Sequence, residues 1–477
     1  MIQNKATVSE ATEEQKDFIQ ANPKMSYILK ATAGSGKTKS TIDRIKFLIS
    51  QGVPEEKIAM FSYTTAAVNE FKERLQNDKV KVTTIHAFCL GMLSRMKKFK
   101  EVIDIYDFLK WYVEKNKPKS GSSQQVRDDF YELTQELYDS ANYIDSEFGA
   151  YKLQQASGIK SRIPEYYFDY VQFLKETKSR DFSDMLIEVR ELLKDNKWLN
   201  LFKNKYDYIL VDEFQDTSLI QLEILLKLNA KYYTLIGDVS QSIYLYSGAN
   251  AHAIMDLLKS RRECVEMSLS INFRSKKVIV EHANQYSELQ AKPFHSEDGG
   301  LVHKNLLIFE DLVELLKTRK EVVILARTNK LIKQIEKRLL QRKFPMRYFN
   351  YLTDKEIESL RKAEERHSTK MKVRELLPVF KTAGGIIDFI EENKDKKSFV
   401  TSIHKSKGRE FPVCVIVNCV SPEILTFNKI QNLSKEQYES LSFYENDESD
   451  ENIEARNVFY VAVTRPKEEL FFMIMGI

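Results

Sequence analysis

Residues Ala31–Thr38 read ATAGSGKT, one residue after the apolar run Tyr27–Leu29 and one residue before a helical pattern over Ser40–Ile49. A strand, then a loop of small residues, then a helix restricts the chain to an α/β architecture with a phosphate-binding turn. Small side chains let successive backbone N–H groups close around phosphate oxygens, and the helix N-terminus adds the positive end of its dipole. Ala33, Gly34, Ser35 and Gly36 form the cradle, Lys37 neutralises the β- and γ-phosphates, and the Thr38 hydroxyl ligates Mg2+. Ala31 stands where the simplest pattern has glycine. Taken alone, the motif leaves a glycine-rich turn as the alternative to an ATP or GTP site.

Similar apolar runs recur at Ile58–Phe61 before SYTT, Tyr208–Val211 before DEFQDT and Tyr232–Ile236 before GDVSQS. A second set lies at Val322–Leu325, Val413–Val417 and Leu470–Met473, with helical patterns such as Ala66–Leu75 between runs. Strands alternating with helices predict two parallel sheets, each covered on both faces. Asp212 then falls at the carboxyl end of a buried strand, where open α/β sheets bind ligands. One carboxylate there holds Mg2+, and its neighbour Glu213 polarises the attacking water; a DE pair at a strand end also reads as a helix cap. Hydrolysis further needs a cation near the γ-phosphate. Arg274 in INFRS and Arg465 in YVAVTR are the candidates, with a surface ion pair as the other reading of each.

A chain of 477 residues exceeds one ordinary core. The charges, 73 basic against 69 acidic, lean only mildly toward polyanion partners. Cys89, Cys264, Cys414 and Cys419 lack metal-ligand spacing, Met1–Pro23 is polar, and no apolar run is long enough to cross a bilayer. These features predict a cytoplasmic protein with reduced thiols and no membrane contact. The stretch from Arg95 to Lys178 is charged, aromatic-rich and helical in period, broken by KPKSGSS at Lys117–Ser123. The expected layout is a first domain over 1–95 and 179–265, a helical insertion over 96–178, and a second domain over 266–477. Residues 354–397 are at most a vestigial insertion in the second, and the acidic run Glu445–Glu454 reads as a loop.

In order, the chain carries ATAGSGKT, SYTTAAVNEF, TTIHAF, DFSDML, LVDEFQDTS, LIGDVSQSIYLYSGA, INFRS, SIHKSKGREF and FYVAVTR. It resembles the superfamily 1 helicases of the UvrD, Rep and PcrA type, with matching blocks from Thr12 to Arg465. The resemblance implies two RecA-like domains with ATP between them and single-stranded DNA, or a single-strand/duplex junction, across their top. It implies that Gln15 reads the adenine, Phe273 stacks on it and Glu410 holds the ribose. Gln241 senses the γ-phosphate, and Arg274 and Arg465 reach it. On the DNA side it points to Tyr63, Thr64, His86, Tyr246 and His404. The 3′→5′ direction of travel comes from the resemblance alone.

Aromatic faces suit a motor that must grip any base, each contributing about 1–3 kcal/mol. Tyr244 and Tyr246 follow closely on Gln241, so stacking and nucleotide state would share one short segment; two core tyrosines under a loop is the other reading. His86 and His404 equally read as structural hydrogen-bonders, and Ser402 and Lys407 as phosphate donors.

The chain also departs from the family pattern. Lys39 stands where an arginine packing on the base is usual, Ala66 replaces a lysine, Tyr246 and Ser247 a Trp-Arg pair, and Asn457 an arginine beside Arg456. Only Lys330–Thr401 separates two blocks between which relatives carry a large insertion, suggesting a stripped motor or one completed by a protein partner. The candidate for a duplex-splitting wedge is Ser421–Tyr444, with Phe427, Phe443 and Tyr444 as tips. An ATP-dependent translocase or helicase is the expected function. The alternative is a DNA-stimulated ATPase that recruits a partner such as a nuclease.

Overall fold

The computed structural model describes residues 11–139, 141–156, 162–244, 249–295, 299–348, 350, 357, 375–419 and 450–475. Tyr246, Ser247, most of 351–374, and the wedge candidates Phe427, Phe443 and Tyr444 lie outside them. The chain divides into two compact units, Met1–Ser270 and Ile271–Ile477.

In the first unit, β1 (Ser26–Ala31), β2 (Ile58–Ser62), β3 (Lys81–Thr84), β4 (Tyr208–Asp212), β5 (Tyr232–Gly237) and β6 (Cys264–Leu269) form a sheet in the order β3-β2-β4-β5-β1-β6. Every pairing is parallel. The central strands are apolar along their whole length because both faces are covered. Ile28, Phe61, Ile209, Val211 and Leu235 join one core, while Leu29, Met60, Leu210 and Ile236 join another on the opposite face. Between β3 and β4 the chain forms helices Ile105–Lys115, Gln124–Asp139, Ala141–Ala156 and Tyr167–Thr177. Phe108, Phe148, Tyr170 and Phe173 pack them around a separate core.

In the second unit, β7 (Ile271–Asn272) pairs with β8 (Lys292–Pro293). A second parallel sheet runs β11-β10-β12-β13-β9, from β9 (Leu301–Leu307), β10 (Val322–Ala326), β11 (Phe399–Ser402), β12 (Phe411–Val417) and β13 (Pro466–Met473). The two parallel sheets match the α/β expectation. Strands β3, β6 and β9 are among those without a strong apolar run. All three are sheet edges, where most positions keep contact with solvent and charge is tolerated. On β6, for example, Glu266 pairs with Lys30 at 2.8 Å.

Candidate functional site

Residues 32–36 leave β1 and turn into the Lys37–Ser50 helix through Gly34 and Gly36, at φ 73° and 79°. Gly36 is required twice over: its backbone is left-handed, and a Cβ would stand 2.9 Å from Gln15 Nε2. The loop is braced from within, since Ser35 Oγ donates to Thr32 O at 2.8 Å. The Thr32 N–H in turn donates to Leu269 O at 3.0 Å.

Gln15 closes the loop's other side. Its Nε2 donates to Ser35 O at 3.1 Å, while its Oε1 accepts the Thr12 N–H at 3.1 Å in a capping box. A primary amide has two donors and two lone pairs, so one of each remains for a further partner. The short Glu13–Ile19 helix carrying Gln15 is held by Arg44, only 2% exposed, whose guanidinium donates to the carbonyls of Ile19, Ala21 and Asn22. Glu14 adds hydrogen bonds of 2.6 Å to both the N–H and the hydroxyl of Ser270. Lys39 is exposed.

Asp212 ends β4 and is 5% exposed. Its Oδ1 is buried and makes no hydrogen bond among the described residues. Burial, then the neighbouring Glu213 charge, pushes the carboxyl up to about 8 against the pull of Lys37. An orphaned carboxylate oxygen in a dry site is what a divalent cation satisfies, so Asp212 fits a metal ligand. Glu213 follows in the left-handed region at φ 51°, an uncommon conformation for a residue with a Cβ. Its Oε1 lies 3.5 Å from Lys37 Nζ.

Sequence reasoning missed what holds Glu213. Gln215 is fully buried; its Nε2 donates to Glu213 Oε2, and its Oε1 accepts the Asp238 N–H at 3.1 Å. Asp238 in turn accepts from Gln241 Nε2 at 2.7 Å and from the Ser240 N–H at 3.1 Å. Burial raises the Asp238 pKa. A Cβ at Gly237 would collide with Gln215 Oε1 and stand 2.8 Å from Phe214, so glycine there lets the amide cross. The only sequence signal for this relay was the glutamine within DEFQD.

Among the described residues, the expected DNA contacts of this unit lie at the carboxyl ends of β2 and β3. Tyr63 is half-buried, with its ring 5.3 Å from that of Tyr244. Thr64 is exposed, and its Oγ1 caps the Thr65–Leu75 helix by accepting the Ala67 N–H at 3.1 Å. His86 meets Phe182 edge-on at 5.4 Å, and burial pushes its pKa down to about 4.

In the second unit, Arg274 Nε donates to Glu410 Oε2 at 2.9 Å and Nη1 to Thr464 O at 3.2 Å. Burial alone would raise the Glu410 pKa, but Lys467 and Arg274 outweigh it and hold the carboxyl low. Arg465 is 1% exposed and donates to Val461 O at 2.8 Å, Arg409 O at 3.0 Å and Thr464 Oγ1 at 2.9 Å. Phe273 lies 4.8 Å from the exposed ring of Phe294. His404 is half-buried on the turn Ile403–Ser406. Ser402, read from sequence as a phosphate donor, is 7% exposed and caps that turn by accepting the Lys405 N–H at 3.1 Å. The hydroxyl is drawn inward because the turn's first N–H groups need an acceptor.

A parallel sheet whose first strand feeds a left-handed glycine loop and a helix, with a buried carboxylate at the carboxyl end of the next strand but one, defines a P-loop protein. Residues 11–262 match the UvrD/REP helicase N-terminal domain, and residues 355–476 the UvrD-like helicase C-terminal domain. The chain belongs to the UvrD/REP helicase family. It is 28% identical over 358 residues to a probable DNA helicase II homolog of Mycoplasma capricolum, a match covering 66% of this chain and 48% of that relative. Identity is 30% over 271 residues to the ATP-dependent DNA helicase Rep of Buchnera aphidicola, covering 54% and 40%. It is 27% over 279 residues to the ATP-dependent DNA helicase PcrA of Bacillus subtilis, covering 54% and 37%. The chain spans about half the length, or less, of these relatives. No described helix is long and apolar enough to cross a membrane.

Proposed function

We propose that this protein is an ATP-dependent motor that moves 3′→5′ on single-stranded DNA and uses the movement to open duplex. The first unit serves as the nucleotide-binding RecA-like domain with its helical insertion, and the second as its RecA-like partner. The observation that carries the reading is the relay from half-buried Lys37 and Glu213 through buried Gln215 and Asp238 to Gln241. It ties the phosphate loop to the segment that continues into Tyr244, whose ring packs on Tyr63. A change at the phosphates thereby reaches a pair of aromatic faces suited to bases.

In this mechanism the loop N–H groups and Lys37 hold the triphosphate. Thr38 and Asp212 would hold Mg2+, which would supply positive charge beside the phosphate oxygens. Glu213 takes a proton from the attacking water as the new bond to the γ-phosphorus forms and the bond to the β-phosphate oxygen breaks. Gln241 reads the γ-phosphate, and Gln15, Phe273 and Glu410 position the nucleoside. Arg274 and Arg465 supply cations in the transition state, a contribution of about 10³–10⁵ in rate for such groups. Arg274 engages once it exchanges Glu410 for phosphate. Tyr63, Thr64, His86, Tyr246 and His404 contact the strand.

Steady-state ATP hydrolysis with and without single-stranded DNA, beside Lys37→Ala, tests the reading. Strong stimulation by DNA is expected, with turnover abolished in the folded variant. Normal turnover in Lys37→Ala would overturn the site, and hydrolysis indifferent to DNA would overturn the motor.

A further inference from the structure

The nucleotide loop and the strand contacts of the first unit sit at the carboxyl ends of its sheet. The opposite edge carries a feature that none of those roles uses. Lys81 opens β3, and the Ile85–Arg95 helix then leads back, bringing Arg95 to the same edge. Lys205 lies just ahead of β4; its pKa is lowered first by burial and then by the charges of Arg95 and Lys81, which places the three cations within range of one another. Beyond Arg95 the chain reads MKKFKE, so Arg95–Glu101 carries four basic residues and one acidic. Lys97, Lys98, Phe99 and Lys100 are all exposed, Phe99 by 76%, the most of any large apolar side chain described. None of Lys81, Arg95, Lys97, Lys98, Lys100 and Lys205 pairs with a carboxylate among the described residues.

This loop is held rather than loose. The Lys98 N–H closes the helix end on Leu93 O at 2.9 Å. Arg180, 2% exposed and paired with Glu188 at 2.6 Å, donates Nη2 to Lys98 O at 2.9 Å. Its own N–H reaches Glu101 O at 2.9 Å, and its carbonyl accepts the Ile103 N–H at 3.0 Å. A buried arginine thus grips the loop on both sides of Phe99, leaving the ring in solvent at little further entropic cost on binding.

We propose that this edge is a second nucleic-acid contact, taking single-stranded DNA with its lysines on phosphates and Phe99 on a base. Uncompensated cations suit any polyanion. An aromatic face fixed among them adds base stacking, which an acidic peptide does not call for. The surface extends the footprint of the strand beyond Tyr63 and His86. The inference rests on the reading that the protein acts on DNA.

Fluorescence anisotropy over a salt series tests it on the full chain, with oligodeoxynucleotides of about 8 and about 32 nucleotides, against footprints of about 4–16 for a single strand-binding fold. The variants are Phe99→Ala and the double substitution Lys98→Gln with Lys100→Gln. On the long strand, Phe99→Ala is expected to weaken binding by about tenfold. The double variant should flatten the slope of log affinity against log salt by about 1.4, about 0.7 for each phosphate no longer neutralised. Short-strand binding and DNA-stimulated hydrolysis should stay at wild-type levels. Unchanged long-strand binding in both variants, or equal loss on both lengths, would overturn the surface. So would polyglutamate binding that is lost in both variants while long-strand binding is unchanged, which would assign the edge to an acidic protein. Wild-type protein that binds neither length would instead sink the proposed motor itself.

Discussion

Gln215 shows how a residue that need not touch substrate can govern a reaction. Its amide faces Glu213 on one side and the Asp238 N–H on the other, with no solvent access. Gln215→Ala removes the donor to Glu213, the proposed general base, and leaves a buried N–H without its acceptor, costing about 1–3 kcal/mol of stability. Turnover is expected to fall by about 10–100-fold, the usual range for a supporting partner, with the KM for ATP little changed. Steady-state kinetics beside a thermal melt checks this; a rise in KM at constant turnover would show that Gln215 serves binding instead. His86 is a simpler case: burial pushes its pKa down to about 4, so at neutral pH the proposed contact with a strand would be made by a neutral hydrogen-bonder and not by a cation.

At the scale of elements, the Glu13–Ile19 helix has only seven residues, too few to be stable by itself. Its place depends on the Arg44 guanidinium, which satisfies the carbonyls at its end and beyond, and on the capping box that aims Gln15 at the loop. Arg44→Ala leaves those carbonyls without their donor and should destabilise the protein by roughly 2–4 kcal/mol. In the folded fraction, the KM for ATP should rise more than kcat falls, because Gln15 loses its anchor while Lys37 and Glu213 keep theirs. Urea unfolding and a KM-against-kcat comparison give the two readouts. Loss of turnover with an unchanged KM would contradict this role. The central strands were legible in sequence because both of their faces are buried, whereas edge strands such as β3 and β6 were not, since their exposed positions carry Lys81, Glu266 and Ser268.

For the whole molecule, the motor reading predicts direction. A partial duplex with a 3′ single-stranded tail should be unwound in the presence of ATP and Mg2+, and one with a 5′ tail should not. A gel or fluorescence strand-separation assay on both substrates decides this. Preference for the 5′ tail would reverse the polarity, and translocation without separation on either would restrict the protein to movement on single strands.

The sequence by itself determined the phosphate loop and the family, and with them the chemistry to propose. A phosphate loop depends on a contiguous strand, turn and helix, so Gly34, Gly36, Lys37 and Thr38 declare it locally. The DE pair gains its meaning from the apolar run just before it, and the order of the blocks marks the family. Only the tertiary structure decided what supports that chemistry. Arg44 reaches Ile19 across 25 positions, Gln215 meets Asp238 across 23, and Glu14 meets Ser270 across 256. It also turned the Ser402 hydroxyl inward as a cap and enclosed Arg465 among carbonyls. Periodicity and spacing report what neighbours in the chain can do. Partners such as these are chosen by packing, which brings a buried donor to whatever acceptor the fold has left without water.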